Sequence, residues 1–299
     1  HDDAIALLLA LASDEVDVLA VTTVAGNQTL DKTTANALRV LELTGRSDIP
    51  VAAGLDRPLV RELVVSEWIH GDSGLDGPEL VEPTTSPVSE HAVDLLARVA
   101  AESERPVTLI PVGPLTNIAV LLARHPAVVE SVDRMVLMGG AMGLGNVTPA
   151  AEFNVWQDPE AARRVFASEL DITMIGLDVT HSALLRSEHA DRLRSQGPAG
   201  RFVAELLEFF AGRNRDVYRL AGAPIHDAAA VAHVLRDDLI TTEFVHVEVD
   251  CSWGVGRGRT VVDLHGRTSG DPNTHVGVDI DADAFADFLV ERIGRLDRG

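Results

Sequence analysis

The chain has 299 residues, of which 46% are hydrophobic and 24% are charged, and its formal net charge at pH 7 is −21. A chain of this length can bury a substantial core, whereas its acidity argues against nucleic acid or an anionic membrane as a partner. Because Cys251 is the sole cysteine, an intrachain disulfide and a metal site built from several cysteines are excluded.

The sequence shows no signal peptide. The longest apolar run near the start, residues 4–12, is too short to cross a bilayer. We therefore expect a cytoplasmic protein.

Predicted strands and helices alternate along the first two-thirds of the chain. Strands are predicted at residues 16–24, 49–53, 107–112, 134–138, 171–177, 244–249, 260–264 and 275–279. Helices are predicted from residue 1, at 29–44, at 89–103 with Ser89 as the cap, from Pro114 onward, at 160–167, over 187–235 with breaks near 197 and 221–224, and at 282–295. This order predicts a single α/β domain over residues 1–299, with a mostly parallel central sheet covered by helices on both faces.

The first predicted helix begins at once, in the sequence HDDAIALLLALAS. A parallel sheet normally places a strand before such a helix, and no strand precedes this one. We expect that the natural protein carries that strand before His1. Intact-mass analysis of the natural protein that showed no residues before His1 would contradict this expectation.

A glycine-rich loop follows the predicted strand at residues 134–138. It has glycine at positions 139, 140, 143 and 145 and continues through Asn146, Glu152 and Asn154. Glycines let a backbone turn tightly and approach a ligand closely, and in α/β proteins such loops lie at the ligand-binding ends of strands. A carboxylate and two amides there suggest a site for the hydroxyl groups of a sugar. The alternative is a surface loop in which the same residues only form turns.

Acidic residues open two predicted helices. Asp2 and Asp3 begin the first helix, and Asp227 follows His226 at the start of another. Neighbouring carboxylates beside a buried sheet edge repel each other unless a cation or hydrogen-bond donors neutralise them. Oxygen ligands without clustered histidine or cysteine suit a hard ion such as Ca²⁺ or Mg²⁺. The alternative is that these residues only cap helix starts.

Two further features lie outside the predicted elements. Asn27 follows the strand at residues 16–24, and residues 54–87 form a long irregular segment that contains Trp68 and His70. A loop of this length in a compact domain is usually functional or mobile.

Six motifs together resemble those of the nucleoside hydrolase family, of the inosine–uridine preferring type. They are HDDAIALLLA, TTVAGNQTL, PVGPLTNIA, VLMGGAMGLGN, AEFNVWQDPEAA and IHDAAAV, in this order. The resemblance implies a Rossmann-like nucleoside hydrolase fold with its active site at the carboxyl ends of the parallel strands. It implies Ca²⁺-assisted hydrolysis of the N-glycosidic bond of ribonucleosides to ribose and free base, in purine or pyrimidine salvage, by a homodimer or homotetramer.

The resemblance also implies roles for residues at the metal and at the base. Ca²⁺ would be held by the carboxylates of Asp3 and Asp227 and by the backbone carbonyl of Val112. His226 would be the general acid beside the leaving base. His70 would lie near the base, on a mobile loop.

The remaining implied contacts are with the ribose. Asp2 and Asn27 would bind the 2′- and 3′-hydroxyls, and Asn154 would bind the 3′-hydroxyl. Asn146 and Glu152 would bind the 5′-hydroxyl. Breaking the C1′–N bond builds positive charge on the sugar, which carboxylates and amide oxygens stabilise.

The sequence departs from the family pattern in two places. The family has an Asp-x-Asp-Pro-Gly segment before HDDA, whose second Asp is a calcium ligand and general base, and this segment is absent here. Secondly, Tyr218 lacks the tyrosine spacing of some purine-active members, so the base preference is left open.

Two rival interpretations belong to other classes. The missing base carboxylate suggests a calcium- and ribose-binding relative without catalysis, which a hydrolysis assay distinguishes. The His-Asp pairs at His1 and His226 suggest an HD-type metal phosphohydrolase, but that class is helical and this chain has β-branched strands. The other histidines considered (His91, His125, His181 and His233) are interpreted as ordinary surface or core residues, and Asp178 as a residue that fixes a turn.

Overall fold

In the computed structural model, residues 1–219 and 222–297 are described, except for the side chain of Tyr218. The strands are β1 (Val21–Thr23), β2 (Val51–Ala53), β3 (Val107–Leu109), β4 (Val132–Met138), β5 (Ile172–Ile175), β6 (Leu184–Leu185), β7 (Ala223–Pro224), β8 (Ile240–Val249), β9 (Thr260–Asp263) and β10 (Thr274–Ile280).

The helices alternate with these strands. They are α1 (Asp2–Leu11), α2 (Leu30–Leu43), α3 (Glu67–His70), α4 (Ala92–Glu102), α5 (Thr116–Arg124), α6 (Phe153–Gln157), α7 (Pro159–Phe166), α8 (Leu177–Thr180), α9 (Ser187–Arg194), α10 (Pro198–Tyr218), α11 (His226–Leu235) and α12 (Ala282–Leu296). Short 3₁₀ helices occupy Pro126–Ser131 and Asp237–Leu239.

The largest sheet has the strand order β3-β4-β5-β10-β8-β9. Its first four strands run parallel, and β8 pairs antiparallel with both β10 and β9. A separate parallel pair joins β1 to β2, and β6 pairs antiparallel with β7. The predicted mostly parallel sheet is therefore confirmed, with an antiparallel edge.

Strand β4 shows why helices cover both faces of the sheet. Its residues from Met135 to Met138 are all buried, and successive side chains of a strand point to opposite faces. Val136 and Met138 belong to a core cluster with α1, α10, α11 and α12. Met135 and Leu137 belong to a second cluster with α5 and α7. A strand buried on both faces reads as a continuous apolar run, which is what the sequence has here.

The structure shifts several predicted element starts, and three of them have a clear physical reason. The strand predicted at residues 16–24 begins only at Val21, because its partner β2 has three residues and pairs only with β1. The helix predicted from Ser89 begins at Ala92, and His91 is its cap, since the His91 Nδ1 accepts a hydrogen bond from the Val93 N–H at 3.3 Å.

The helix predicted from Pro114 begins instead at Thr116. The first helical hydrogen bond runs from the Ala119 N–H to the Leu115 carbonyl at 2.9 Å. Pro114 packs so closely on Gly26 that a Cβ at position 26 would lie 2.8 Å from the proline ring. Pro114 therefore packs against the loop that follows β1 and does not begin the helix.

The long segment at residues 54–87 is mostly irregular, as predicted, and contains the short helix α3. Side chains of the preceding region hold it in place. Gln28 donates to the carbonyls of Gly71 and Asp72, and the Asn36 amide donates to the Ser73 carbonyl at 2.8 Å. These contacts attach the segment, just after the end of α3, to α2 and to the residues before it.

The predicted break at residues 221–224 includes Ala221, which lies outside the described residues together with Leu220.

Over residues 1–219 and 222–297, no helix combines the length and the apolar character needed to cross a bilayer.

Candidate active site

A cleft opens where β1, β3 and β4 end and where α1 and α11 begin. It encloses about 580 Å³, including space open to solvent. Nine of the ten residues predicted for the site line it: Asp2, Asn27, His70, Val112, Asn146, Glu152, Asn154, His226 and Asp227. The tenth, Asp3, lies beside the cleft in a carboxylate cluster with two of these residues.

Three carboxylates meet at the starts of two helices. Asp2 and Asp3 are in the first turn of α1, Asp227 is in the first turn of α11, and carboxylate oxygens of all three lie within 4.8 Å of one another. The backbone N–H groups of His226 and Asp227 favour the charged form of the Asp2 carboxylate. The positive end of the α11 dipole therefore partly balances the charge of Asp2.

Burial and mutual repulsion make this cluster electrostatically costly. Burial, followed by the charges of Asp2 and Asp3, raises the pKa of Asp227 well above its usual range. Burial also raises the pKa of Asp2 and of Asp3, although Asp3 is half exposed and water screens its charge. A bound cation would relieve this repulsion, and an all-oxygen ligand set fits a hard divalent ion.

Asn154 fixes the ends of two neighbouring strands. Its Nδ2 donates to the carbonyl oxygen of Val112 at 3.1 Å and to that of Met138 at 3.2 Å. Both carbonyls follow or end parallel strands of the main sheet, so one buried amide holds them side by side. The Val112 carbonyl is thereby presented at the cleft wall.

Glu152 anchors the glycine-rich loop to the start of α6. Its carboxylate accepts from the N–H groups of Asn154 at 2.7 Å, Gly140 at 3.0 Å and Val155 at 3.1 Å. Burial outweighs these three hydrogen bonds and raises the pKa of Glu152 to about 7. The Asn146 Oδ1 accepts from the Phe153 N–H at 2.9 Å, which fixes the far end of the loop.

The loop itself depends on glycine at position 140. Gly140 has φ +76°, and a Cβ there would lie 2.9 Å from the Met174 sulfur and from the Thr260 side chain. Asp178 holds the next residues, because its carboxylate accepts from the N–H groups of Met142 at 2.6 Å and Gly143 at 3.0 Å. Asp178 thus fixes a turn, as the sequence predicts.

His226 forms the opposite wall of the cleft. Its Nδ1 lies 2.7 Å from the hydroxyl oxygen of Thr180, and the ring of His181 meets it edge-on at 5.6 Å between centroids. Although part of the His226 ring faces the cleft, burial lowers its pKa to about 3. His226 is therefore a neutral imidazole at pH 7.

His70 is held by a second histidine. The His1 Nε2 lies 2.7 Å from the Asp76 carbonyl, and the His1 Nδ1 lies 3.2 Å from the His70 Nδ1. Because a carbonyl only accepts, His1 donates from Nε2 and accepts at Nδ1, so His70 donates from its Nδ1. Burial lowers the pKa of His70 well below its usual range. The Nε2 of His70 is consequently an acceptor.

Four contributors to the site escaped the sequence reasoning. Ser66 donates from its hydroxyl to the Asn27 Oδ1 at 2.8 Å, which fixes the orientation of the Asn27 amide. Phe210 and Asn214 reach the cleft from α10, and the Asn214 amide donates to the Phe210 carbonyl. Thr180 supports His226 from behind. None of these residues stands in a motif, so only the fold brings them to the site.

Comparisons with known proteins show the family of this chain. A sequence model of the family described as inosine-uridine preferring nucleoside hydrolase matches residues 1–287. The chain is 50% identical over 295 residues to the pyrimidine-specific ribonucleoside hydrolase RihA of Citrobacter koseri, covering 98% of this chain and 95% of that protein. The RihA of Escherichia coli O81 (strain ED1a) matches at the same identity and coverage.

Solved structures give the same result. The purine-preferring ribonucleoside hydrolase from Gardnerella vaginalis aligns with a TM-score of 0.93 at 32% identity, covering 99% of this chain and 96% of that chain. The plant nucleoside hydrolase PpNRh1 aligns with a TM-score of 0.92 at 32% identity, covering 98% and 95% of the two chains.

The fold is therefore that of nucleoside-cleaving hydrolases. The chain belongs to the inosine–uridine preferring nucleoside hydrolase family. It is an enzyme that hydrolyses ribonucleosides, and neither a non-catalytic binding protein nor a helical phosphohydrolase. The side chain of Tyr218, on which the sequence argument about base preference depends, lies outside the described part of the chain.

Proposed function

We propose that this hydrolase prefers pyrimidine ribonucleosides and that Ca²⁺ assists the cleavage. The proposal depends on one observation above all, the three carboxylates of Asp2, Asp3 and Asp227 within 4.8 Å of one another at the cleft. The preference for pyrimidines is supported by the relatives named pyrimidine-specific, which are 50% identical over almost the whole chain. The purine-preferring structural neighbour is 32% identical.

Asp3 and Asp227 would hold the cation with their carboxylates, and Val112 with its carbonyl oxygen. When bound, the cation supplies Lewis-acid polarisation and a fixed positive charge for oxygen groups. This role also explains why two helices begin with carboxylates that repel each other.

The ribose would lie against the rest of the acidic wall. Asp2 and Asn27 would bind the 2′- and 3′-hydroxyls, with the Asn27 amide as a donor, and Asn154 would bind the 3′-hydroxyl. Asn146 and Glu152 would bind the 5′-hydroxyl. Because cleavage develops positive charge on the sugar, the carboxylates and amide oxygens around it stabilise the transition state more than the ground state.

The base would lie between the two cleft histidines. As the C1′–N bond breaks, its electrons move onto the base, and a hydrogen-bond donor at that edge lowers the barrier. His226 would supply that donor and would be the catalytic residue at the leaving base. His70, with an acceptor nitrogen, and Phe210 would contact the base from the side of the irregular segment.

The test is turnover of a panel of nucleosides by the full-length protein. We expect kcat/KM for uridine and cytidine to exceed that for inosine and adenosine by about tenfold or more, equivalent to about 1.4 kcal/mol of transition-state binding. Chelation should abolish turnover of all four, and added Ca²⁺ should restore it. Faster cleavage of inosine would contradict the pyrimidine preference, and turnover unaffected by chelation would contradict the role of the ion.

We further propose that the enzyme works as a homodimer or homotetramer in the cytoplasm and that the released base enters salvage. Light scattering coupled to size-exclusion chromatography should give a mass of two or four chains. A monomer at micromolar concentration would contradict the assembly. Fractionation of cells that express the natural protein would test the compartment.

A further inference from the structure

Thr180 and His226 meet although they belong to different elements and stand 46 residues apart. Thr180 is the last residue of α8 and is fully buried, at 0% exposure. Its hydroxyl oxygen lies 2.7 Å from the His226 Nδ1. His226 is the first residue of α11 and lines the cleft. The contact therefore lies directly behind a wall of the active site.

The direction of this hydrogen bond follows from the burial of the hydroxyl. A buried donor without an acceptor costs about 1–3 kcal/mol. In the described part of the chain, the structure shows the His226 Nδ1 as the hydrogen-bond partner of the Thr180 hydroxyl. The hydroxyl therefore donates and Nδ1 accepts, so a neutral His226 carries its proton on Nε2. With Nδ1 turned toward Thr180, Nε2 is the nitrogen available to the cleft.

Helix α8 couples this contact to the rest of the site. Asp178, two residues before Thr180, binds the N–H groups of Met142 and Gly143 in the glycine-rich loop. The backbone N–H of Thr180 donates to the Gly176 carbonyl at 3.1 Å, which fixes the residue on the helix. His181 packs edge-on against the His226 ring and restricts its rotation. The single turn of α8 thus positions both the glycine-rich loop and the imidazole of His226.

We propose that Thr180 is a positioning residue that holds His226 in the Nε2–H tautomer, so that His226 presents a hydrogen-bond donor to the leaving base. This inference rests on the proposed role of His226. It also restricts the substrate, because the base must offer an acceptor atom to Nε2. A base analogue with a donor or a C–H group at that position is a poor substrate.

Variants at position 180 separate positioning from structure. Thr180→Val keeps the shape but removes the donor, so Nδ1 competes for the proton and Nε2 loses it in part of the population. Since general acid assistance is worth about 10²–10⁴-fold, we expect kcat for uridine to fall about 10–100-fold with KM changed less than about threefold. Cleavage of p-nitrophenyl riboside, whose leaving group needs no donor, should change less than about threefold. Thr180→Ser should restore uridine turnover.

Thr34→Val is the matched control. Thr34 is also a buried helical threonine whose hydroxyl is hydrogen-bonded, to the Leu30 carbonyl and to Thr23. Its loss should lower stability without changing the ratio of the two turnover rates. If Thr180→Val slowed both substrates equally, as a general structural defect would, or slowed neither, the proposal would be overturned.

The tautomer is read directly by ¹⁵N NMR of the protein labelled at histidine, with the His226 signals identified by their absence in His226→Gln. We expect the wild-type ring to show a protonated Nε2 and an unprotonated Nδ1, and Thr180→Val to show a mixture. A wild-type ring protonated at Nδ1 would overturn the proposal even if the valine variant failed to fold.

His226→Gln distinguishes the failure of this inference from the failure of the proposed function. If His226→Gln slows uridine and p-nitrophenyl riboside equally, His226 is not the donor and the proposed function is wrong at this residue. If His226→Gln slows uridine more than p-nitrophenyl riboside but Thr180→Val slows both equally, only the inference about Thr180 fails. If each single variant slows uridine more than p-nitrophenyl riboside, the double variant Thr180→Val/His226→Gln should slow uridine, relative to p-nitrophenyl riboside, no more than His226→Gln alone does.

Discussion

Glu152 shows two opposing influences on a single carboxyl group. Three backbone N–H groups donate to it, which favours the charged form. Burial favours the neutral form and prevails, so the pKa rises to about 7 from the ordinary value of 4.5. Between pH values of about 4.5 and about 7, Glu152 keeps its proton in the folded protein and loses it in the unfolded chain. The free energy of unfolding therefore falls as the pH rises through this range.

We predict that Glu152→Gln removes this pH dependence. One pKa unit corresponds to about 1.4 kcal/mol, so the free energy of unfolding of the wild type, relative to that of the variant, should fall by about 3 kcal/mol between pH 4.5 and pH 7. The glutamine N–H groups also face backbone donors, which should cost about 1–3 kcal/mol at every pH. Urea unfolding at a series of pH values measures both effects. Parallel stability curves for the two proteins would show that Glu152 does not titrate in this range.

The sequence predicts some residues of the site and misses others. Asp2, Asp3, Glu152 and Asp227 stand in contiguous motifs at helix starts, and their polar character in apolar surroundings marks them. The sequence does not distinguish Thr180 in this way, because a threonine that follows a strand ordinarily indicates the end of a helix and no further role. Its role comes from α8 meeting α11, a tertiary contact that local sequence does not encode.

At the scale of elements, the glycine-rich loop is defined by the backbone at Gly140. A residue other than glycine there has to adopt φ +76° and place its Cβ 2.9 Å from both Met174 and Thr260. Such approach is closer than van der Waals contact, so the loop or the two buried side chains must shift. Since Glu152 binds the Gly140 N–H, movement of the loop also disturbs the start of α6.

We predict that Gly140→Ala destabilises the protein by about 2–4 kcal/mol, from the left-handed backbone and the clash together. It should also raise KM for uridine by about tenfold or more, because the loop positions Asn146 and Glu152. Gly45→Ala is the matched control: it has φ +70° but no atom within 4 Å of the added Cβ. The control should cost only about 1 kcal/mol and leave KM unchanged. Equal effects of the two substitutions would mean that close packing at Gly140 has no consequence.

Element boundaries show where local patterns are insufficient. The apolar run at residues 16–24 has strand character throughout, yet only Val21–Thr23 pairs, because β2 is short. Ser89 is a better cap than histidine by residue preference, yet the helix begins after His91. In both cases the neighbouring element, rather than intrinsic preference, decides where the element starts.

At the scale of the whole molecule, the site joins residues that lie far apart along the chain. Asp2 and Asp3 come from the first helix and Asp227 from a helix more than two hundred positions later, and the sheet brings them within 4.8 Å. The alternating pattern predicts such a sheet, and the carboxyl-end rule predicts that polar residues converge there. The distances, and the burial that raises the pKa of Asp227, follow only from the assembled fold.

The most direct test of this account is a calorimetric titration of Ca²⁺ into chelator-treated full-length protein, compared with the Asp227→Asn variant. We predict one bound ion per chain in the wild type and at least about tenfold weaker binding in the variant, since each carboxylate tunes the affinity of a calcium site. Saturating Ca²⁺ should also raise the thermal midpoint of the wild type more than that of the variant. No measurable Ca²⁺ binding by the wild type, or equal binding by both proteins, would contradict the assignment of these carboxylates to a metal.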